Sequence, residues 1–281
     1  MSKPPNKSLE LHSEVLLLLE EISVLREELA ERLAELHNLQ HTVKPNLLAI
    51  FQTKLGPWEL RLLEAMCQAA RWKRKVELVQ AAINRGKLPD MAAIDAALEV
   101  EFLAWQQQVR EAAQKIDQAQ FRLDHLLGPG DDAELKKIFY TLAKKLHPDV
   151  NPRVTSEQSA LWLQVLASYE SGDLQKLKAL ALLVDSEEIG VAEIAGDIET
   201  LRIERERLRS SLQRIFQELA LIQNQPPFCH REQWEDEAWI TQRRTELDMQ
   251  ESIARSQASA LEKHLEALLM VYGTGKPSGL N

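Results

Sequence analysis

Apolar residues recur at helical spacing along almost the whole chain. Leu11, Val15, Leu18, Ile22, Leu25, Leu29, Leu33 and Leu36 alternate steps of four and three, with Glu and Arg between them. Such a seam belongs to a helix that meets a partner helix. About 34 residues of helix span about 50 Å, more than a small core can cover. Thr42-Val43-Lys44-Pro45 is expected to break this helix, residues 47–54 to form a short apolar connector carrying Phe51, and Gly56-Pro57 to restart the chain. The next helix, 57–85, turns Leu60, Leu63, Cys67, Ala70, Val76, Val79 and Ile83 inward and ends at Gly86 and Pro89. Asp90 is a suitable N-cap for a helix over 91–127, with Ile94, Leu98, Phe102, Trp105, Val109, Ala112, Ile116 and Leu123 on its apolar side. The short connection between these two helices predicts an antiparallel hairpin.

Leu127-Gly128-Pro129-Gly130 leads into a shorter amphipathic helix, expected to be capped by Asp131 with Glu134 three residues on. Its apolar positions are Leu135, Ile138, Phe139, Leu142 and Leu146. Pro148 biases His147 away from helical backbone, so the helix should stop at Leu146 or His147, and His147-Pro148-Asp149 forms a corner. Thr155-Ser156-Glu157-Gln158 has the form of a capping box and opens a second helix, with Leu161, Trp162, Val165, Leu166 and Tyr169 on one face. The two helices can therefore close as an antiparallel hairpin. A third helix, Leu174 to Val184, follows Ser171-Gly172-Asp173.

A hinge is expected over 186–190. Beyond it lies another seam, Ile194, Ile198, Leu201, Leu208, Leu212, Ile215, Leu219 and Ile222, interrupted only by Arg205. Gln225-Pro226-Pro227-Phe228 reads as a turn. The return helix carries Ile240, Leu247, Ala254, Leu261 and Leu268 at strict sevens, with Ala258 and Leu265 between, and is expected to pair with the helix before the turn. The predicted organisation is a disordered 1–7, a coiled-coil and helical-hairpin region 8–127, a central unit 128–185, an antiparallel coiled-coil hairpin 186–272 and a flexible tail 273–281. The fold class is all-α, with elongated antiparallel coiled-coil helices around a central helical hairpin.

Composition agrees, with only 10 Gly and 11 Pro in 281 residues. A net charge of -9 argues against a general phosphate-binding surface. The basic run Arg71-Trp72-Lys73-Arg74-Lys75 sits beside Glu64 and Glu77 and reads as a solvated helix face. Cys67 and Cys229 offer no disulfide framework, which suits a reducing compartment. No apolar run approaches the roughly 20 residues of a membrane span, so the expectation is a soluble, cytoplasmic protein. Cys229-His230 has metal-ligating atoms but no second pair at ligand spacing. A phosphate-binding loop and a nucleophile elbow are both missing, so no cofactor and no intrinsic catalysis are called for. An enzyme using His147 with Asp149 would need a pocket and a further catalytic group that the sequence does not offer.

The central unit resembles the J-domain of DnaJ-type co-chaperones. The resemblance is carried by Leu142, Ala143, His147, Pro148 and Asp149, followed by Trp162, Val165, Ser168 and Tyr169. It implies a core of Leu135, Phe139, Leu142, Trp162, Val165 and Tyr169. It also implies a docking corner at His147, Pro148 and Asp149, flanked by Lys136, Lys137, Lys144 and Lys145, that binds a DnaK-type chaperone and triggers its ATP hydrolysis. Tyr140 and Thr141 stand where the family usually carries a basic pair, and Phe121 to Gly128 replaces its usual first helix. A client protein or a second copy of the chain would then engage the coiled coils. The alternative is a structural coiled-coil adaptor with a degenerate J-like unit. Burial of His147 and Asp149 under a coiled-coil arm would favour that adaptor or an autoinhibited form.

Overall fold

The computed structural model describes residues 7–186 and 197–274, and among them the regular elements are helical, with no strand. Expectations for residues 1–6, for the hinge and Ile194 within 187–196, and for the tail from 275 on lie outside the described residues. The helices are α1 (Lys7–Asn38), α2 (Lys44–Asn84), α3 (Met91–Glu101), α4 (Leu103–Asp124), α5 (Pro129–Leu146), α6 (Ser156–Glu170), α7 (Leu174–Ser186), α8 (Ile198–Gln223), α9 (Arg231–Glu235) and α10 (Glu237–Thr274). The chain divides into two compact units, Met1–Leu47 with His125–Cys229 and Leu48–Asp124 with His230–Asn281. Residues of both predicted coiled-coil regions, 8–127 and 186–272, thus enter both units.

Three expected helix boundaries are corrected. The predicted break at 42–45 is a π-helical turn, Leu39–Val43, after which helix resumes at Lys44. In a regular helix the ring of Pro45 would collide with the carbonyl four residues back; a widened turn just ahead of it relieves that clash. Residues 47–54 are helix rather than connector, and Pro57 lies inside α2 instead of restarting the chain. Arg244 donates to the Lys54 carbonyl at 3.0 Å, beside the place where Pro57 interrupts the backbone ladder, and its guanidinium lies 4.4 Å from the Trp58 ring centroid. Tertiary partners thus hold a proline that local propensity alone would not. The helix expected over 91–127 is divided at Phe102 and ends at Asp124.

In the first unit, α5, α6 and α7 enclose Leu135, Phe139, Leu142, Leu146, Trp162, Val165, Tyr169 and Leu177. Gly172, at φ 69°, makes the left-handed step between α6 and α7, and Asp173 caps α7 through the Lys176 amide. A second cluster joins Leu18, Ile22, Leu29, Leu33 and Leu36 of α1 to Leu201, Leu208, Leu212, Ile215 and Leu219 of α8. Ion pairs mark the register: Glu14 meets Arg202, and Glu21 meets Arg209 at 3.0 Å. The constant offset of 188 residues means that α1 and α8 run parallel. Arg205, which interrupts the seam, reaches Glu21 at 3.4 Å. Hence α8 takes α1 as its partner in place of the helix beyond the Pro226-Pro227 turn.

In the second unit, α2 and α3 run antiparallel, linked by Arg71–Glu99 and Lys75–Asp95 at 2.5 and 2.6 Å. The basic run is therefore partly neutralised within its own unit. Ile240 and Leu247 of α10 pack with Leu55, Phe51, Trp58 and Leu62 of α2. Lys54–Glu237 and Arg61–Asp248, at 2.5 and 2.7 Å, advance together along both helices, so this pair is also parallel.

The α1–α8 pairing makes a direct test possible. Leu208 is fully buried against α1 while Ile203, on the same helix, is 64% exposed. Leu208→Ala is expected to lower unfolding free energy by about 2–5 kcal/mol in urea titrations, and Ile203→Ala by no more than about 0.5 kcal/mol. Equal losses would contradict the pairing.

Candidate functional site

The corner between α5 and α6 starts from the way α5 ends. Gly128, rather than Asp131, is the N-cap, with Pro129 in the first helical position and Asp131 and Asp132 in the first turn, where the helix dipole favours them. At the other end His147 takes extended backbone, φ -71° and ψ 127°, while its amide still donates to the Ala143 carbonyl at 3.0 Å. Pro148 biases His147 out of helical backbone and offers no amide donor, and the amides of Val150 and Asn151 turn back to the His147 carbonyl at 3.1 and 2.8 Å. The Asn151 side chain donates to the Lys145 carbonyl at 3.0 Å, satisfying one of the orphan acceptors of the helix end. Thr155 and Gln158 then form both hydrogen bonds of the capping box that opens α6.

Within this corner the His147 ring is fixed on two sides. Its Nδ1 accepts the Asp149 amide hydrogen at 3.0 Å, which leaves the ring proton on Nε2. Its edge meets Trp162 with centroids 5.2 Å apart and planes at 73°. Burial pushes the imidazole pKa down, against the upward pull of the Asp149 carboxylate. The side chain is thus a neutral brace inside the corner. Pro148 is exposed and Asp149 half-exposed at the surface.

The structure distributes the four lysines unequally. Lys136 pairs with Asp132 one turn earlier at 2.7 Å, Lys145 with Asp185 of α7 at 2.6 Å, and Lys144 with Glu27 of α1 at 2.5 Å. Lys137 is exposed and makes no ion pair with the described residues. The six expected core residues, Leu135, Phe139, Leu142, Trp162, Val165 and Tyr169, share one buried cluster. Phe139 stacks on Tyr169 at 4.0 Å and tilts against Trp162 at 5.5 Å.

Contacts from outside the hairpin carry no local sequence signal. The Asp149 carbonyl accepts Arg207 Nη1 at 3.0 Å, and its carboxylate lies 3.6 Å from Arg214, both on α8. Arg207 is held in turn by Glu204 at 2.7 Å, and Glu204 also meets the buried Arg26 of α1 at 3.3 Å. Tyr140 and the fully buried Val150 pack into the α1–α8 cluster. The position at which the family resemblance expects a basic residue is thus an apolar contact.

Phe121, in the stretch expected to replace a first helix, is exposed. Ala34 and His37 of α1 instead pack against the aromatic core of the hairpin. His230 stacks on Trp234 at 6.0 Å beside the exposed Cys229, and no group able to hold a metal occurs among the described residues. The chain matches no model of a known protein family, no curated protein and no solved structure. Among the described residues no helix is long and apolar enough to cross a membrane.

His37 supplies a pH test. Its ring faces Phe139, its Nδ1 is buried without a partner, and its pKa is lowered to about 4, chiefly by burial and then by His41 and His147, with Glu170 opposing. Folding therefore expels a proton between the unfolded value of 6.5 and the folded value of about 4. Stability is unaffected above that window and falls as pH drops through it. Allowing for partial solvent screening, the loss by pH 5 is about 1–2 kcal/mol. Urea titrations at pH 7.5 and 5 should show this loss, and His37→Leu should reduce it. An undiminished loss in the variant would show that His37 is not its source.

Proposed function

We propose that this chain is a J-domain co-chaperone, which docks on a DnaK-type chaperone and stimulates its ATP hydrolysis. The observation that carries the reading is the His147 brace. The ring accepts the Asp149 amide and packs on Trp162, which sets Pro148 and the Asp149 carboxylate outward at the end of a lysine-bearing helix. The resemblance assigns that tripeptide to docking, and this geometry gives each member a part: His147 braces, Pro148 turns the chain, and Asp149 offers charge. Lys137 adds an exposed ammonium on the same helix, able to steer a weak, fast encounter with an acidic surface. Bond cleavage would take place in the partner. The long helices outside the hairpin remain for a client or a second copy, and the two free cysteines agree with a reducing, cytoplasmic setting.

The burial of Tyr140 and Val150 against α1 and α8 favours a second reading. A structural adaptor would use the hairpin as a packing module and leave the chaperone uncoupled. Steady-state ATPase of the source cell's DnaK-type chaperone, titrated with the full chain and with His147→Gln, separates the two. The co-chaperone reading expects stimulation that the variant reduces by about tenfold or more, the size of effect that follows from losing about 1.4 kcal/mol of coupling. Absence of stimulation at every concentration, or equal stimulation by the variant, overturns it in favour of the adaptor.

A further inference from the structure

One departure of α5 from the family pattern, Tyr140, coincides with packing against the α1–α8 cluster, whereas Thr141 is exposed. Tyr140 packs into the α1–α8 cluster one turn before Lys144, whose ammonium meets Glu27 of α1 at 2.5 Å. Past the end of α5, Val150 is fully buried in the same cluster, Arg207 grips the Asp149 carbonyl at 3.0 Å, and Arg214 approaches the carboxylate at 3.6 Å. One side of the helix and the inner side of the corner are therefore covered by the same two helices.

The chemistry of the cover is that of a competitor. Glu27 offers Lys144 the carboxylate that an acidic partner would offer, and Arg214 offers Asp149 the cation that a partner would offer. Glu27 and Arg214 are each more than half exposed, at 54% and 59%, so both pairs can exchange with water and with an outside partner. The anchor behind them is firmer. Arg207 is fixed by Glu204, which also binds the 5% exposed Arg26, so the hold on the Asp149 main chain is continuous with the α1–α8 core.

We infer that the α1–α8 pair is an internal latch on the docking face. It competes with a partner's carboxylate for Lys144 and with a partner's cation for Asp149, and so lowers the fraction of molecules ready to dock. This inference rests on the co-chaperone reading and names the regulation of that same corner. A latch that closes part of the population raises the apparent half-saturating concentration by the inverse of the open fraction and leaves the stimulated rate at saturation unchanged. A contact that merely positioned the corner would act in the opposite sense, because its loss would raise the half-saturating concentration or lower the plateau.

The experiment titrates full-length wild type, Glu27→Gln and Glu27→Gln/Arg207→Met against the purified DnaK-type chaperone, reading ATPase rate, each with and without His147→Gln. Hydrogen exchange of the 147–154 amides reports whether the loop has been released. Glu27→Gln alone alters a largely exposed position, so it tests the latch even if the double variant is too unstable to assay. The latch requires the half-saturating concentration to fall roughly three- to five-fold in the variants, with the plateau unchanged and His147→Gln abolishing the effect. An unchanged or higher half-saturating concentration, with His147-dependent stimulation intact, overturns the latch and leaves the co-chaperone reading standing. Absence of His147-dependent stimulation in every variant overturns both.

Discussion

The first unit depends on keeping a buried guanidinium paired. Arg26 lies between α1 and α8 at 5% exposure, where desolvation lowers its pKa and an isolated charge would be costly. Glu204 meets that demand and is itself only 12% exposed. Burial raises the Glu204 carboxyl pKa, but hydrogen bonding and charge from Arg207 together with Arg26 outweigh it, and the group is held below the usual carboxylate range. Three charges thus share one site, with Arg207 turned to the loop and bonded to the Asp149 carbonyl. Apolar seams tolerate slippage by a turn more readily than such a triad does, since a slip would strand a buried charge. The register of α1 on α8 and the position of the corner are consequently set by one network.

A second constraint is the aromatic wall of the hairpin. Phe139, Trp162 and Tyr169 are covered by α1 as well as by α5, α6 and α7. Ala34 and His37 of α1 pack on that wall, and the Tyr169 hydroxyl lies 3.4 Å from the Asn38 amide oxygen. Burial pushes the Tyr169 pKa up to about 12, with Thr42 opposing the shift. A small three-helix unit gains core in this way at the expense of independence. The cost is visible at His37, whose buried, unpartnered Nδ1 is the weak point of the wall.

What the sequence made legible was local. The end of α5 at Leu146, the capping box at Thr155 and Gln158 and the glycine step at Gly172 all follow from residues within four positions of one another. The all-α class follows from helical periodicity that hardly lapses. Helix partners were less legible, because the seams of α1, α2, α8 and α10 are chemically alike and a seam does not state its partner or direction. The distinction between α8 with α1 and α8 with α10 lies in pairs such as Glu21 with Arg209, 188 residues apart. At the candidate site the same division holds. His147, Pro148 and Asp149 were readable from proline geometry and flanking pattern, whereas Arg207, Arg214 and Glu27 reach the corner only through the tertiary fold.

Tyr140 shows how these levels meet. On a freestanding lysine-bearing helix, a tyrosine at that position would dilute the positive face and contribute little else. Packed against the α1–α8 cluster, it contributes to burial and directs the following turn, so that Lys144 emerges beside Glu27. An internal carboxylate 2.5 Å away competes with any external one at a fixed, high local concentration, however dilute the external partner is. Added salt screens both exposed contacts alike and leaves the apolar hold of Tyr140 and Val150 in place. On the co-chaperone reading proposed above, a partner that displaced the α1–α8 pair completely would also have to offset the buried apolar area of Tyr140 and Val150, which would favour a shaped surface over charge alone.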